Sequence, residues 1–229
     1  MNLKIIVVGD YKSGKSSFIR RYIKGDFQEE TTSTVGFNVL KKILKKDGID
    51  DINLAIWDTG GLKSQIPPLK DKIFDQVDGA MVIIDVTNPN SSKSIKKWYF
   101  EIKDSISYDI PIYVIVSKKD LISNRNLFNE EEIKKTINEL GLNYFLVSSK
   151  SGENITECFS KIILSIFDLI NLKKNSEFSS IKSSKYTSLN LNYNEFKALE
   201  DLEEIIINNT NDHKKTSIQD FKEFNQKGF

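Results

Sequence analysis

The sequence has little cysteine, no long apolar run and almost no excess charge. Its single cysteine, Cys158, excludes an intramolecular disulfide framework and fits a reducing compartment. No apolar run approaches the roughly 18 residues that a membrane helix needs. The net charge of +1 argues against a general nucleic-acid binder.

Signals for targeting and lipidation are also missing. The short apolar run at the N-terminus has no basic segment before it, which excludes a secretory signal peptide. Residue 2 is Asn2 and not the glycine that myristoylation needs, and the chain ends at Phe229 with no cysteine for prenylation. We therefore expect no lipid anchor in this chain, a cytoplasmic location, and membrane association only through partners.

What the sequence does contain is an alternation of buried strands and amphipathic helices. Hydrophobic residues make up 39% of the 229 residues, enough for a sizeable core. An Asp47-Gly48 turn joins two successive strands and predicts an antiparallel hairpin. The fold class predicted is therefore α/β, with a six-stranded, mainly parallel sheet, one antiparallel edge strand and about five flanking helices. The predicted strands span 3–8, 37–44, 52–57, 79–86, 112–116 and 144–147, and the predicted helices span 15–24, 67–74, 91–107, 130–140 and 155–172.

The most informative motif lies between the first strand and the first helix. Residues 9–16 read G-x-x-x-x-G-K-S, the pattern of a phosphate-binding loop. Its glycines let backbone N–H groups point at phosphates, Lys15 can reach the β- and γ-phosphates, and Ser16 can ligate Mg²⁺. The helix that begins here adds its positive dipole end. The predicted α/β fold is therefore that of a P-loop NTPase. Many enzymes use such a loop, so the other clusters must decide the ligand.

Four further polar clusters lie in loops beside the predicted strands, where ligands bind to sheets of this kind. Asp58 in Asp-Thr-Gly-Gly can hold Mg²⁺ through water, and Gly61 can offer its N–H to a γ-phosphate. Thr34, in the loop before the hairpin, can add a hydroxyl to Mg²⁺. Asp120 in the segment 117–120 can accept both N–H donors on one edge of guanine, and backbone N–H groups of 148–150 can meet the guanine O6. A small-molecule or nucleotide kinase does not need the last two clusters.

With these five clusters in order, residues 1–172 resemble the Ras-like small GTPases, most nearly the Rab branch. The resemblance implies a guanine-nucleotide switch in signalling or vesicle trafficking, with GTP/GDP and Mg²⁺ as ligands and with effectors and exchange or activating factors as partners. It gives the metal-binding role to Ser16, Thr34 and, through water, Asp58, and catalytic roles to Lys15, Thr34 and Gly61. The nucleotide-binding residues that it implies are Asp10, Tyr11, Lys12, Ser13, Gly14, Lys15, Ser16, Ser17, Phe27, Thr34, Gly61, Ser117, Lys118, Asp120, Ser148, Ser149 and Lys150.

Four features depart from the family pattern. Leu62 replaces the glutamine that orients the attacking water, which predicts slow hydrolysis. Ser117 replaces the usual asparagine of N-K-x-D, which predicts some loss of affinity without a change of base. Gly60 replaces the common alanine. Residues 61–74 are a few residues longer than the corresponding Rab segment, so that Gln65 is an alternative water-positioning side chain.

The phosphate loop departs from the pattern too. Tyr11 and Lys12 stand where small residues are common, and the loop resembles that of guanylate-binding proteins, which carry an arginine at the Lys12 position. One hypothesis is that Lys12 supplies positive charge to the transition state and is a catalytic residue. The alternative is a solvated lysine at the loop rim. At the level of function, the alternative to a slow switch is a scaffold that stays bound to GTP.

The composition changes after the predicted domain. Residues 171–192 are rich in Ser, Lys and Asn and predict a linker. Apolar periodicity then predicts helices at 194–208 and 217–224. Lysines and acidic residues are equal in number over 173–229, nine each, which argues against an electrostatic membrane anchor. We expect this extension, 173–229, either to dock on the domain or to bind a partner helix, with disorder as the alternative.

Overall fold

The structure is a computed structural model, and it describes residues 1–29, 34, 36–46, 49–61, 70–122 and 129–180, without the side chains of 46, 49, 50 and 174–180. Six strands and five helices alternate along it, with one short 3₁₀ turn at Lys119–Leu121. The elements in chain order are β1 (Asn2–Gly9), α1 (Lys15–Lys24), β2 (Phe37–Lys46), β3 (Ile49–Thr59), α2 (Lys70–Phe74), β4 (Gly79–Asp85), α3 (Ser91–Ser105), β5 (Ile112–Ser117), α4 (Glu130–Glu139), β6 (Asn143–Leu146) and α5 (Ile155–Ser180).

All six strands form one sheet in the order β2-β3-β1-β4-β5-β6. Only β2, at one edge, runs antiparallel to its neighbour, with Phe37 opposite Thr59 and Leu44 opposite Ile52. The other four pairings are parallel. The predicted fold class is therefore confirmed. Because the parallel strands all end at the same edge, the loops after β1, β3, β4, β5 and β6 gather there.

The core has two layers, one on each face of the sheet. Side chains alternate along the central strand β1: Ile5 and Val7 pack with α1 and α5, while Ile6 and Val8 pack with α2, α3 and α4. A strand that is buried on both faces needs a continuous apolar run, which is why residues 3–8 are all apolar except Lys4. The sheet therefore gives the loops at its edge a rigid base.

Helix α1 begins and ends as the sequence predicts. Gly14, with φ of 97°, precedes its first turn, and Gly25, with φ of 69°, ends it by donating its N–H to the carbonyl of Arg21. Phe18, Ile19 and Tyr22 lie on its buried face. The phosphate-binding loop is thus fixed by a central strand on one side and a packed helix on the other.

The end of the last helix differs from the prediction. The composition predicts a linker from residue 171, but α5 continues to Ser180. Residues 173–180 contain no proline or glycine, and a helix that has already formed extends at little cost per residue. No helix among the described residues is long and apolar enough to cross a membrane. The rest of the predicted linker, the two predicted C-terminal helices, the Asp47-Gly48 turn and the start of the predicted helix at 67–69 lie outside the described residues.

Candidate functional site

A cavity of about 550 Å³ lies at the loop edge of the sheet. A volume in this range suits a cofactor-sized ligand. The predicted nucleotide-binding residues line it, with three exceptions: Asp10, Ser13 and Ser148. Three residues that the motifs did not indicate, Glu29, Thr59 and Leu121, also line it. The full lining is Tyr11, Lys12, Gly14, Lys15, Ser16, Ser17, Phe27, Glu29, Thr34, Thr59, Gly61, Ser117, Lys118, Asp120, Leu121, Ser149 and Lys150.

One end of the cavity is the phosphate-binding loop after β1. A Cβ atom at Gly9, where φ is 151°, would lie 2.2 Å from the carbonyl oxygen of Ile83, so only glycine allows this close approach. The Lys15 amine is held inside the loop, where it donates to the carbonyls of Gly9 (3.1 Å) and Asp10 (2.7 Å). Burial lowers the pKa of Lys15 to about 8, against the raising effect of the Asp58 and Asp10 charges. The negative charge of a bound phosphate would compensate for the burial of this positively charged amine.

Beside this lysine, three oxygen-bearing side chains from separate segments meet. The Ser16 hydroxyl donates to Oδ2 of Asp58 at 2.6 Å and lies 3.0 Å from the Thr34 hydroxyl oxygen. The other carboxylate oxygen of Asp58, Oδ1, is buried and has no hydrogen-bond partner among the described residues. Burial raises the pKa of Asp58, an effect that the Ser16 hydrogen bond and the Lys15 charge oppose. Hard oxygen donors with one unsatisfied carboxylate atom fit Mg²⁺, which takes few protein ligands and completes its shell with phosphates and water.

The loop after β3 packs directly on the phosphate-binding loop. A Cβ atom at Gly61 would lie 2.4 Å from the Tyr11 nitrogen, so no larger residue fits there without movement. Next to it, the Gly60 N–H donates to the Gly36 carbonyl at 2.7 Å, which ties this loop to the segment before β2. Close backbone contact therefore requires glycine at residue 61, the last residue of the D-x-x-G motif, whereas the Gly60 contact uses only its main chain.

The opposite end of the cavity is formed by the loops after β5 and β6. Asp120 accepts a hydrogen bond from the Ser148 hydroxyl at 2.6 Å, so Ser148 orients the base-reading carboxylate and does not itself line the cavity. Lys118 pairs with Asp85 at 2.5 Å, while Ser149 and Lys150 line the wall. One carboxylate held in place from the side can read the paired donors of a guanine.

Ser117 is the residue that departs from the family motif at this end. Its buried hydroxyl donates to the Ser13 carbonyl at 2.6 Å, which ties the base-reading loop to the phosphate-binding loop. Ser13 thus takes part through its main chain, and its side chain is buried away from the cavity. The serine hydroxyl is long enough to make a direct link between the two halves of the site.

Two further predicted nucleotide-binding residues, Asp10 and Lys12, have side chains that point away from the cavity or lie at its rim. The Asp10 carboxylate points to α3, where Lys97 and Trp98 donate to it at 2.9 Å each. Lys12 is exposed at the cavity rim in a left-handed conformation, with φ of 60°, and its amine lies 5.5 Å from the centre of the Tyr11 ring. Leu62 and Gln65 lie outside the described residues.

The segment that follows α1 closes the base end. Phe27 lines the cavity, and the preceding residue, Asp26, forms a two-pronged ion pair with Arg20, in which Nε and Oδ1 are 2.8 Å apart. Glu29 faces Lys150, with 3.5 Å between carboxylate and amine. No local motif marks Glu29 in the sequence, because its role depends on a residue 121 positions away.

Comparison with known proteins agrees with this geometry. Residues 4–168 match the Ras family. This chain belongs to the Ras family of small GTPases. The small GTPase is similar to the GTP-binding protein YPT53 of Saccharomyces cerevisiae, at 30% identity over 167 residues, covering 71% of this chain and 75% of that protein. It is also similar to the Ras-related protein Rab-8B of Bos taurus, at 28% identity over 177 residues, covering 77% of this chain and 84% of that protein. The expected family is thus confirmed, with Rab-type proteins among the relatives.

Proposed function

We propose that this small GTPase is a slow guanine-nucleotide switch, which binds GTP and GDP with Mg²⁺ and engages protein effectors in its GTP form. The observation that carries the proposal is that a single cavity has Lys15 at one end and Asp120 at the other. A phosphate-binding amine and a guanine-reading carboxylate in one cavity suit a guanine nucleotide better than a ligand that lacks either part.

Each part of the nucleotide has a matching group in the described residues. Lys15 and the loop backbone hold the phosphates, and Asp120, Lys118, Phe27 and Ser149 hold the base. The Ser16 and Thr34 hydroxyls and, through water, the Asp58 carboxylate would hold Mg²⁺. When bound, Mg²⁺ supplies positive charge to the β- and γ-phosphates. The protein itself positions the phosphates with backbone N–H groups and a buried amine. These groups are already in place, so they need not rearrange at the moment of reaction.

The switch requires loops that respond to the γ-phosphate. Thr34 and Gly61 belong to the two loops that GTP orders in this family, and both line the cavity. Close to them, the rings of Phe37 and Trp57 stack with centres 4.7 Å apart on β2 and β3. An aromatic pair between the two loops is a suitable contact surface for an effector, and a role in vesicle trafficking through such effectors extends the proposal.

The rate of GTP hydrolysis depends on two residues with opposite effects: Leu62 slows the reaction, and Lys12 partly offsets that loss. Leucine has no group that hydrogen-bonds the attacking water, so the usual route is weakened. Lys12 lies at the rim of the cavity beside Tyr11 and can bring a positive charge towards the phosphates from within the chain. Leu62 also favours a second candidate function, a scaffold that stays in the GTP form.

Single-turnover hydrolysis by the full chain loaded with GTP tests this proposal. We expect slow phosphate release by the wild type, an increase of about tenfold or more in Leu62→Gln, since a water-orienting donor is restored, and a decrease in Lys12→Ala. An unchanged rate in Lys12→Ala would show that this lysine is only a solvated rim residue. Wild-type release at background in every condition would favour the scaffold, and failure to bind guanine nucleotide would overturn both.

A further inference from the structure

Asp10, inside the phosphate-binding loop, directs its side chain away from the cavity and into α3. Its carboxylate accepts hydrogen bonds from three α3 residues: Ser94, Lys97 at 2.9 Å and Trp98 at 2.9 Å. Trp98 is almost fully buried, whereas the Asp10 side chain itself is 29% exposed, so this carboxylate lies at the border between the core and the surface. Burial raises the pKa of Asp10, but the hydrogen bonds from Ser94, Lys97 and Trp98 outweigh it and leave the pKa below its usual value. The carboxylate is therefore firmly held as a charged group.

The main chain of the same residue contacts two parts of the phosphate site. The Asp10 carbonyl accepts from the Lys15 amine at 2.7 Å and from the Ser13 N–H at 3.2 Å. Gly61 packs against the peptide that joins Asp10 to Tyr11, because a Cβ atom at Gly61 would lie 2.4 Å from the Tyr11 nitrogen and 2.5 Å from the Asp10 carbonyl carbon. One peptide unit thus supports both the phosphate-binding amine and the glycine of the D-x-x-G loop.

We propose, on the basis of the nucleotide switch proposed above, that Asp10 is a positioning residue for the γ-phosphate. Its side chain, held by α3, fixes the orientation of the peptide between Asp10 and Tyr11, and Gly61 closes against that peptide. Gly61 is the residue whose N–H is suited to the γ-phosphate, and GDP has no such group. Loss of the anchor therefore weakens binding of GTP more than binding of GDP.

Helix α3 offers a matched pair of lysines to separate this role from general stability. Lys97 contacts Asp10, whereas its neighbour Lys96 pairs with Glu139 of α4 at 3.0 Å. The two lysines have similar side-chain exposure, 39% and 48%. A substitution at either lysine removes one partly exposed ion pair from the same helix, but only a substitution at Lys97 removes a contact with the phosphate-binding loop.

The experiment compares affinities for GDP and for a non-hydrolysable GTP analogue in the full chain, at a fixed Mg²⁺ concentration. For Asp10→Ala we expect the preference for the GTP analogue over GDP to fall about tenfold, because the buried Ser94 and Trp98 donors and the partly exposed Lys97 amine lose their acceptor. Asp10→Asn keeps the shape and some of the hydrogen bonds and should fall between this variant and the wild type. Lys97→Met should lose about twofold to fivefold, and Lys96→Met should keep the wild-type preference.

Thermal unfolding of each variant accompanies the affinities. If Asp10→Ala does not fold, Lys97→Met and Trp98→Phe each remove a single donor and carry the test alone. An equal loss of affinity for both nucleotides, with the preference unchanged, would overturn the proposal and leave Asp10 as a stabilising residue only. A wild type that binds neither nucleotide would instead refute the switch itself, so the two failures are distinguishable.

Discussion

Ser117 shows how one atom can replace a larger side chain in this site. The family motif has an asparagine at this position, and here a hydroxyl reaches the Ser13 carbonyl at 2.6 Å in a buried environment. A buried carbonyl that loses its donor costs about 1–3 kcal/mol. The bond links the base-reading loop to the phosphate-binding loop. Its loss therefore weakens the contact that holds the two halves of the site together.

This link gives a prediction for nucleotide release. In Ser117→Ala we expect a fluorescent GDP analogue to dissociate about tenfold faster, because the buried Ser13 carbonyl is left without its donor. Ser117→Thr keeps the hydroxyl and serves as the matched control, with a rate near that of the wild type. Equal dissociation rates for Ser117→Ala and the wild type would mean that the loops are held together by other contacts.

At the scale of elements, α1 connects the two ends of the cavity. Its first residues, Lys15 and Ser16, belong to the phosphate end. Its C-terminal half contacts the base end: Arg20 pairs with Asp26, next to Phe27, and Arg21 donates to the carbonyl of Lys150 at 3.3 Å. A single packed helix therefore fixes the distance between the groups that bind phosphate and the groups that bind the base.

The Arg20–Asp26 pair is the part of this arrangement most accessible to mutation. We expect Arg20→Ala to speed nucleotide release about twofold to fivefold, the range for a partly exposed ion pair. The reason is that Asp26, the residue before Phe27, would no longer be held in place by Arg20. A double-mutant cycle measures the effect: once Asp26→Ala is present, Arg20→Ala should add little. Lys96→Ala, which removes the partly exposed ion pair between Lys96 and Glu139, is the control. Fully additive effects of Arg20→Ala and Asp26→Ala would show that Arg20 does not act through Asp26.

The elements also show how far the sequence alone can predict this molecule. Strand β1 and helix α1 follow from local signals, a buried apolar run and two flanking glycines, and the motifs identify Lys15, Ser16 and Asp120 because phosphate, metal and guanine each need one particular chemistry. The contact of Asp10 with α3 could not be predicted, since its partners lie 84 to 88 positions away. The predicted end of α5 was wrong, because a change to polar composition does not end a helix when the segment contains no proline or glycine.

At the scale of the whole molecule, the sheet brings together loops from strands far apart in the sequence. The phosphate-binding loop follows the central strand β1, and the guanine-reading loops follow β5 and β6 on one side of it. On the other side, Asp58 lies near the end of β3, in the hairpin that carries Phe37 and Trp57. The residues that line this one cavity therefore come from both sides of β1, an arrangement that suits the proposed nucleotide switch.

The most direct test of the guanine-nucleotide site is calorimetric titration of the nucleotide-free full chain with GDP and with ADP, in the presence of Mg²⁺. In the proposed role Asp120 accepts from donors that adenine lacks, and a site built on such hydrogen bonds rejects the wrong partner by about 10⁴-fold. We therefore predict tight binding of GDP and ADP binding weaker by about three orders of magnitude or more. Equal affinity for the two nucleotides would contradict the account, because the cavity would then be a phosphate site without a base preference.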